Sequence, residues 1–303
     1  MSSITVPGSR RCVLAIVVLA MAIALTASAQ DHQEKPSPVS PGGEKLTSHL
    51  VKTGLYLIAG GGGNSLLRFS ANGSILVDGK LPGNYRALMS QVRRISKMSD
   101  LPVRVLIVTD HHENHTGNNA QFLAAGIPII AQENAKRNFS TDKTDGATAA
   151  APTVTYDRDY ALRLGGVEVL LKHFGRAHTD GDTVVYFPNL KVVAVGDLFT
   201  PGTPEPDFSR GGSVVNWGPV LARILELDFD VVVPSTGPMV TRTDLEAFRA
   251  RIDALASRAI AVVRKGVPKE QLMAELKTDD LGWRLSFTGE TLDRFYAELT
   301  QAK

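Results

Sequence analysis

Residues 108–119 read V-T-D-H-H-E-N-H-T-G-N-N and follow directly on the apolar, β-branched run P-V-R-V-L-I-V at 102–108. This run predicts a buried strand, because Leu101 and Pro102 bound it on one side and polar residues bound it on the other. Three imidazoles and two carboxylates then fall within residues 110–115. A cluster of this composition at the end of a rigid strand is typical of a metal site. The alternative interpretation is a polar loop that is simply solvated.

The same stretch resembles the T-H-x-H-x-D-H-x-G-G-N signature of the metallo-β-lactamase fold family. The positions in register with that signature are Thr109, His112, His115, Thr116, Gly117 and Asn119. Three positions differ in type, since Asp110 stands at the first His, Asn114 at the Asp and Asn118 at a Gly. The resemblance covers about residues 55–240. It implies an α/β fold, the four-layer αβ/βα sandwich of this family, with an altered metal site.

Two later stretches resemble further metal-binding segments of the family. His178 begins the sequence H-T-D-G-D-T-V-V-Y, which runs into a predicted strand at 183–187. Asp197 ends the apolar run V-V-A-V-G-D and takes the place of the family's metal-bridging Asp. A hydrophobic strand of this kind is expected to carry its terminal carboxylate to the same sheet edge as the cluster at 110–115. The alternatives are an ordinary loop His and a capping Asp.

Four other positions are expected to support the site, to lack a ligand that the family has, or to lie outside the site. Asp78 lies in L-V-D-G, where the family ends a strand near the metal, so it is expected to orient a ligand or, alternatively, to be a turn residue. Asp182 is expected to hydrogen-bond nearby loop groups. Thr236 stands where the family has a His, and a hydroxyl is a poor zinc ligand. His173 lies inside a predicted strand and is expected to be a packed or surface residue.

The resemblance therefore implies two unequal metal positions. The implied ligands are Asp110, His112 and His178 at the first position and His115 and Asp197 at the second, with Asn114 and Thr236 as weak substitutes. A four-ligand zinc site is worth about 10–16 kcal/mol, or roughly 3 kcal/mol per ligand. Three ligands then correspond to a Kd below about 1 μM and two ligands to roughly tens of micromolar. One zinc ion is expected, at the first position, with iron as an alternative for His and carboxylate ligands.

The leading functional hypothesis is a mononuclear metal hydrolase that cleaves an ester, lactone, amide or phosphoester in a small-molecule substrate. Asp197 or His115 is expected to accept or relay the proton. Asn114, the third candidate at the catalytic centre, occupies the position of the family's Asp but cannot act as a general base. The alternative is a non-catalytic family member, a periplasmic binding or scaffold protein with a decayed metal site. The sequence selects no particular substrate.

The first 29 residues predict an export signal. Arg10 and Arg11 precede an apolar run from Cys12 to about Ala27, and small residues follow up to Ala29, after which cleavage is expected. The run is too short to span a bilayer comfortably, so an uncleaved membrane anchor is the weaker alternative. The mature protein is expected to be periplasmic or secreted, with no stable membrane span.

Composition limits the domain organisation, the metal ligands and the partners of the mature chain. Residues 30–45 are rich in Pro, Ser, Gly and charge and predict a flexible linker, and residues 46–303 predict one domain. Cleavage would remove Cys12, the only cysteine, so metal ligands must be His and carboxylates. The chain has 33 Lys and Arg against 31 Asp and Glu, and loss of the two signal-peptide arginines makes the counts equal. This balance gives no electrostatic case for nucleic acid, and no oligomeric state is indicated.

Periodicity and breakers predict the remaining elements. The predicted helices are 84–98, 117–125, 243–265, 269–276 and 289–299, and a strand at 128–131 completes a crossover unit. A capping box at 243–246 is expected to open the first of the C-terminal helices. The glycine run 60–63 is interpreted as a turn, because it lacks the spacing of a phosphate-binding loop. Residues 142–151 predict a mobile loop at the rim of the site.

Overall fold

The computed structural model describes residues 45–96, 101–141 and 150–302. The predicted signal peptide, nearly all of the predicted linker and most of the loop expected at 142–151 lie outside these residues. Leu46, at the start of the described chain, is already buried. Across the described residues, no helix combines the length and the apolar character that a bilayer crossing requires.

The first sheet has seven strands that follow one another in chain order. Its strands are β1 (Thr47–Lys52), β2 (Leu55–Ala59), β3 (Ser65–Ser70), β4 (Gly73–Val77), β5 (Val103–Ile107), β6 (Ile129–Gln132) and β7 (Val154–Tyr156). Neighbours from β1 to β4 are antiparallel, and neighbours from β4 to β7 are parallel. The change follows from the connections, because tight turns join the antiparallel strands and longer crossovers precede the parallel ones.

The second sheet has six strands in the order β13-β12-β11-β10-β9-β8. Its strands are β8 (Asp159–Leu164), β9 (Val167–Lys172), β10 (Val184–Phe187), β11 (Val192–Gly196), β12 (Val231–Pro234) and β13 (Val240–Thr241). Only β11 and β12 pair in parallel among these strands. Strand β8 was not anticipated from the sequence.

Helices cover the outer face of each sheet. They are α1 (Tyr85–Ile95), α2 (Glu113–Thr116), α3 (Asn119–Ala124), α4 (Glu133–Thr141), α5 (Val214–Ile224), α6 (Arg242–Arg264), α7 (Lys269–Glu275) and α8 (Gly289–Gln301). Leu57, Ile107 and Val185 belong to one apolar core between the sheets. Separate cores join the first sheet to α1 and α3, and the second sheet to α5, α6 and α8. These four layers confirm the predicted αβ/βα sandwich.

Several element boundaries differ from the sequence-based expectations. Helix α1 ends at Ile95, before the expected limit of 98, and the Ser96 hydroxyl donates to the Val92 carbonyl. A hydroxyl that bonds back in this way competes with the helical pattern. The crossover helix expected at 117–125 is α3, preceded by the single turn α2. Helix α4 was not predicted.

The capping box predicted at 243–246 was wrong by two residues. The actual box joins Thr241 and Asp244, because the Asp244 carboxylate accepts a hydrogen bond from Thr241 N at 2.8 Å and the Thr241 hydroxyl accepts one from Asp244 N at 3.3 Å. Strand β13 ends at Thr241, so this residue has the extended backbone that an N-cap requires. Helix α6 therefore begins at Arg242.

Strand ends carry the polar loops to one region of the molecule. Asp78 follows β4 and Asp110 lies just beyond β5, which is parallel to β4. Asp197 and Ser235 follow the parallel strands β11 and β12. The carboxyl ends of parallel strands meet at one sheet edge, which is where sites form in such folds. Thr183 N donates to the Thr109 carbonyl at 2.7 Å and so joins the loops of the two sheets.

Candidate metal centre

Four side chains converge where the carboxyl ends of the two sheets meet. The single sheet edge expected for Asp197 and residues 110–115 was wrong, because β5 belongs to the first sheet and β11 to the second. Asp110, His112, His178 and Asp197 each offer one ligand-type atom, and these atoms all lie within 4.8 Å of one another. The sequence had assigned Asp197 to a second position with His115. The structure instead groups Asp197 with the three residues expected at the first position.

The distances within this cluster suit one ion. His178 Nε2 lies 3.2 Å from His112 Nδ1, 3.7 Å from Asp197 Oδ2 and 3.9 Å from Asp110 Oδ2. A tetrahedral ion with ligands at 2.0–2.2 Å separates its ligand atoms by about 3.3–3.6 Å. The four donor atoms therefore fit a single ion after small adjustments.

Hydrogen bonds fix the orientation of the His178 ring and the shape of its loop. His178 Nδ1 lies 2.7 Å from the Glu205 carbonyl, which can only accept, so this nitrogen carries the hydrogen and Nε2 is left facing the cluster. The buried carboxylate of Asp182 accepts hydrogen bonds from Thr179 N and Oγ1 and closes the loop, as expected. Burial raises the pKa of Asp182 to about 7. His173 is half-buried, and its Nδ1 lies 2.9 Å from the Asp182 carbonyl.

The ring of His112 is held from both sides. Its Nδ1 lies 3.1 Å from Asp110 Oδ1, and its Nε2 lies 3.2 Å from Asp207 Oδ2. His111 stacks on this ring at 4.2 Å between centroids, and its own Nε2 lies 3.9 Å from Asp207 Oδ2. A carboxylate that accepts from the far nitrogen of a ligating His orients the ring toward the ion.

Asp207 and Glu205 were missed by the sequence reasoning. Both lie in the segment T-P-E-P-D before α5, which has no periodic pattern. Asp207 Oδ1 accepts from Ser209 N and Arg210 N, so the turn itself fixes the carboxylate. An Asp that caps a short turn is a recognisable local signal. Its contact with His112, which lies 95 residues earlier, has no such signal.

His115 lies beside the cluster rather than within it. Its Nδ1 is 3.0 Å from Asp78 Oδ2, and its Nε2 is 2.9 Å from Asp197 Oδ2 and 3.4 Å from Asp110 Oδ2. The Asp78 carboxylate also accepts from Thr109 N at 2.8 Å, so Asp78 orients His115, which is not one of the four clustered residues. A separation of 2.9 Å is that of a hydrogen bond and is short for two ligands of one ion.

The position beyond His115 lacks strong ligands. Asn114 Nδ2 lies 2.8 Å from His115 Nε2, and the Ser235 hydroxyl donates to Asp197 Oδ1. Thr236 lines the cavity at this point. An amide and two hydroxyls replace the charged or imidazole groups that a second ion would need.

The carboxylates dominate the electrostatics. Burial raises the pKa of Asp197, but its hydrogen bond to His115 and the nearby imidazoles lower it to about 2. Burial lowers the pKa of His112, but the charge of Asp110 raises it to about 10. Burial likewise lowers the pKa of His115, while Asp110 and Asp78 raise it well above its ordinary value. The site is therefore a region of negative potential that favours a bound cation.

The cluster opens into a cavity of about 440 Å³. The cavity is lined by His112, Asn114, His178, Asp197, Thr200, Thr203, Glu205 and Thr236. This volume is within the usual range for small-molecule sites, roughly 300–1,000 Å³. Three of the four clustered residues, His112, His178 and Asp197, are therefore accessible to a substrate, while Asp110 and the adjacent His115 are buried.

Comparisons with known proteins point to one superfamily. The family model described as the metallo-beta-lactamase superfamily matches residues 58–236. The 2,4-dinitroanisole O-demethylase subunit alpha of Nocardioides sp. (strain JS1661) is 30% identical over 263 residues, which cover 84% of this chain and 74% of that protein. The metallo-beta-lactamase IND-1 of Chryseobacterium indologenes is 29% identical over 177 residues, which cover 57% of this chain and 70% of that protein.

Solved structures share the architecture. A metallo-beta-lactamase from Pontibacter korlensis aligns with a TM-score of 0.59 and 19% identity, covering 68% of this chain and 98% of that one. A double mutant of the sec-alkyl sulfatase PisA1 aligns with a TM-score of 0.64 and 18% identity, covering 83% of this chain and 47% of that one. At these identities the likeness concerns the fold alone.

Proposed function

The chain belongs to the metallo-β-lactamase superfamily, and from that premise we propose that it is a metal-dependent hydrolase of a small molecule. The ion is held by Asp110, His112, His178 and Asp197. One observation carries the proposal: four ligand-type atoms from loops of both sheets converge within 4.8 Å at the wall of an open cavity.

The donor chemistry favours one ion of zinc, with iron as the second candidate. Two imidazoles and two carboxylates are ligands that both metals accept. When bound, the ion supplies Lewis acidity, which lowers the pKa of water and polarises the oxygen of the bond to be cleaved. Asp110 stands where the family has an imidazole, and its negative charge makes that acidity weaker than a set of three His would.

The residues of this chain provide a route for the proton. Asp197 Oδ2 faces the cluster and lies 2.9 Å from His115 Nε2, so a proton released in the cavity would pass between these two atoms once a bound cation lowers the pKa of His115. Asp78 holds the opposite nitrogen of His115 and keeps the ring in place. Asn114 orients His115 or the substrate, because its amide has no basic form at neutral pH.

The bond that is cleaved belongs to an ester, lactone, amide or phosphoester. An aryl ether joins this range, because the relative with 30% identity is named as an O-demethylase of 2,4-dinitroanisole. The fold is shared with β-lactamases and a sulfatase, so it does not select among these bonds.

We also propose that the protein is exported, with a signal peptide at residues 1–29 that is cleaved after Ala29. The support is the charged, apolar and small-residue order of this segment. N-terminal sequencing of protein recovered from the periplasm or medium tests this, and a chain that still begins at Met1 would contradict it.

Metal content and hydrolysis test the main proposal together. The purified protein is expected to hold about one zinc or iron ion per chain, to lose hydrolytic activity on chelation, and to regain it when that metal is returned. A panel of nitrophenyl esters, lactones, phosphodiesters and nitroaryl methyl ethers supplies the substrates. His178→Ala is expected to abolish both metal retention and hydrolysis. Glu226→Ala is the control, since Glu226 is exposed and lies outside the cluster and both cavities.

The competing function is a non-catalytic binding or scaffold protein. The departures from the family motif at Asp110, Asn114 and Thr236 are the observations that favour it. A fully folded wild type with no bound metal, even after reconstitution, would establish that alternative and reject the hydrolase.

A further inference from the structure

A second cavity, larger than the first, adjoins the metal centre. It measures about 640 Å³. Its lining comes from β1 and β2, the glycine loop at 60–63 with Asn64, and the turn at 236–239. Thr236 lines both cavities and therefore forms their common wall. We propose that this cavity binds the uncharged aryl or alkyl part of the substrate, so that the enzyme selects neutral esters or ethers over anionic substrates. The inference rests on the proposed hydrolase function.

The glycine loop, Gly60 to Gly63, contributes only backbone to the cavity wall. Gly60, Gly62 and Gly63 line the cavity, and a Cβ added at Gly61 or Gly62 would meet Asn84 or Leu81, which do not line it. Three of the four have positive φ angles, which a residue with a side chain rarely adopts. Leu57, Ala59 and Met239 supply apolar surface around this space.

Hydrogen bonds connect the glycine loop to the turn on the other side of the cavity. Asn64 Nδ2 donates to the carbonyls of Pro234 and Gly237, both at 2.9 Å, and Asn64 N donates to the Ser235 carbonyl at 2.6 Å. The loop at 60–63 is thus fixed to the turn that carries Thr236. A cavity with fixed walls binds a ligand without the cost of ordering a loop.

The charge distribution selects against anions. Among the described residues, no Lys or Arg lines either cavity. Lys80 approaches the glycine loop, but it is fully buried and its ammonium donates to the carbonyls of Ile58 and Gly63. The cavity beside the metal centre contains Asp197 and Glu205. Two carboxylate ligands already balance a divalent ion, so an anionic substrate gains no net attraction there.

Asp110 then has a role beyond metal binding. A His at this position would leave the centre one charge more positive. The Asp removes that charge, which lowers the affinity for a carboxylate, sulfate or phosphate group on a substrate. Asp110 in place of the family's His and the apolar cavity thus both favour neutral substrates over anionic ones.

A pair of non-hydrolysable probes tests the inference without any need for catalysis. Butyrophenone and 4-oxo-4-phenylbutanoate have the same aryl ketone, and only the second ends in a carboxylate. Calorimetric titration and NMR shifts of the full protein, with and without bound zinc, are expected to show butyrophenone binding at least about tenfold more tightly. Equal affinity, or tighter binding of the carboxylate, would overturn the inference.

Substitutions at Met239 test whether butyrophenone binds in this cavity, because Met239 lines the cavity and is 36% exposed. Met239→Trp fills the space and is expected to weaken butyrophenone binding by roughly tenfold. Leu50→Trp is the matched control, because Leu50 is 60% exposed and does not line the cavity. Equal effects of the two tryptophans would place the binding elsewhere.

A charge introduced at the same position tests the electrostatic part. Met239→Lys is expected to improve binding of the carboxylate probe by about threefold relative to Met239→Gln, as one cation near a solvated carboxylate would. No difference between these two variants would refute charge selection. If the probes bind as expected but no hydrolysis of any ester or ether is found, the cavity assignment stands and the proposed catalytic function fails, so the two outcomes are separable.

Discussion

The two sides of the site differ in how many ligands they retain. On one side, Asp110, His112, His178 and Asp197 converge within 4.8 Å. On the other, His115 faces Asn114, and hydroxyls occupy the remaining positions. Both sides belong to the same strand ends and share Asp197. The difference between the two sides therefore lies in their side chains and not in the strands that carry them.

The residues that orient the imidazole rings do not follow this contrast. Asp207 orients His112 on the complete side, and Asp78 orients His115 on the depleted side. Each side has an orienting carboxylate, although strong ligand-type side chains are grouped on only one. His115 thus retains a fixed place beside Asp197, which suits a proton relay better than a metal ligand.

Restoring the missing ligands is expected to have the largest effect. Asn114→Asp with Thr236→His adds two ligands beside His115 and Asp197, which at roughly 3 kcal/mol each improves metal affinity there about ten-thousandfold. The metal content, measured by metal analysis and calorimetry, should rise from one ion per chain to two. Asn114→Asp with Thr200→His is the control, since Thr200 also lines the cavity. An unchanged single ion in the first double variant would show that the depleted side cannot be rebuilt by ligands alone.

Removing one ligand from the complete side is expected to have the second-largest effect on metal affinity. Asp110→Asn keeps the shape of the side chain but removes its charge, so zinc affinity is expected to fall about a hundredfold, the equivalent of roughly 3 kcal/mol. Asn114→Ala, on the depleted side, should change it less than about threefold. Competition with a zinc chelator measures both constants. Similar losses in the two variants would remove the distinction between the sides.

The residue that orients His112 should have a smaller effect. Asp207→Asn leaves the ligands intact but weakens the acceptor for His112 Nε2, so metal affinity is expected to fall about tenfold. Asp228→Asn is a suitable control, because Asp228 is an exposed carboxylate paired with Lys191. Unchanged affinity in Asp207→Asn would show that the ring of His112 is held by Asp110 and His111 alone.

The smallest effect on metal binding is expected from Asp78→Asn. Asp78 contacts the depleted side, so zinc affinity should change less than about threefold. The free energy of unfolding should nevertheless fall by roughly 1–3 kcal/mol, because the buried carboxylate accepts from Thr109 N and Oγ1. Denaturant titration and chelator competition separate the two quantities. A large loss of metal affinity would mean that His115 is a ligand after all.

Much of the fold could be predicted because its signals are local. The apolar runs at 102–108 and 192–197 became β5 and β11, each followed by an acidic side chain close to the cluster. Helix ends were harder to predict. Thr241 rather than Thr243 caps α6, because the end of β13 decides which Thr is extended. Tertiary packing outweighs local cap preference at such positions.

The site was predictable where a residue belongs to a motif and not where it acts through a distant contact. His112, His178 and Asp110 stand in recognisable stretches. Asp207 has no motif, and its meeting with His112 depends on a turn 95 residues away. The grouping of Asp197 with the first position likewise depends on the distance between two loops, which spacing along the chain does not report.

The sequence alone thus determined most of the strands and helices and the residue types of the candidate site, since periodicity and residue chemistry are properties of short stretches, while the layer order followed from the resemblance to the family. Only the tertiary structure decided which atoms share a point, which carboxylates hold the rings, and that an open apolar cavity adjoins the centre. These features arise where loops from two sheets meet, and their distances are set by the packing of whole layers rather than by any one segment.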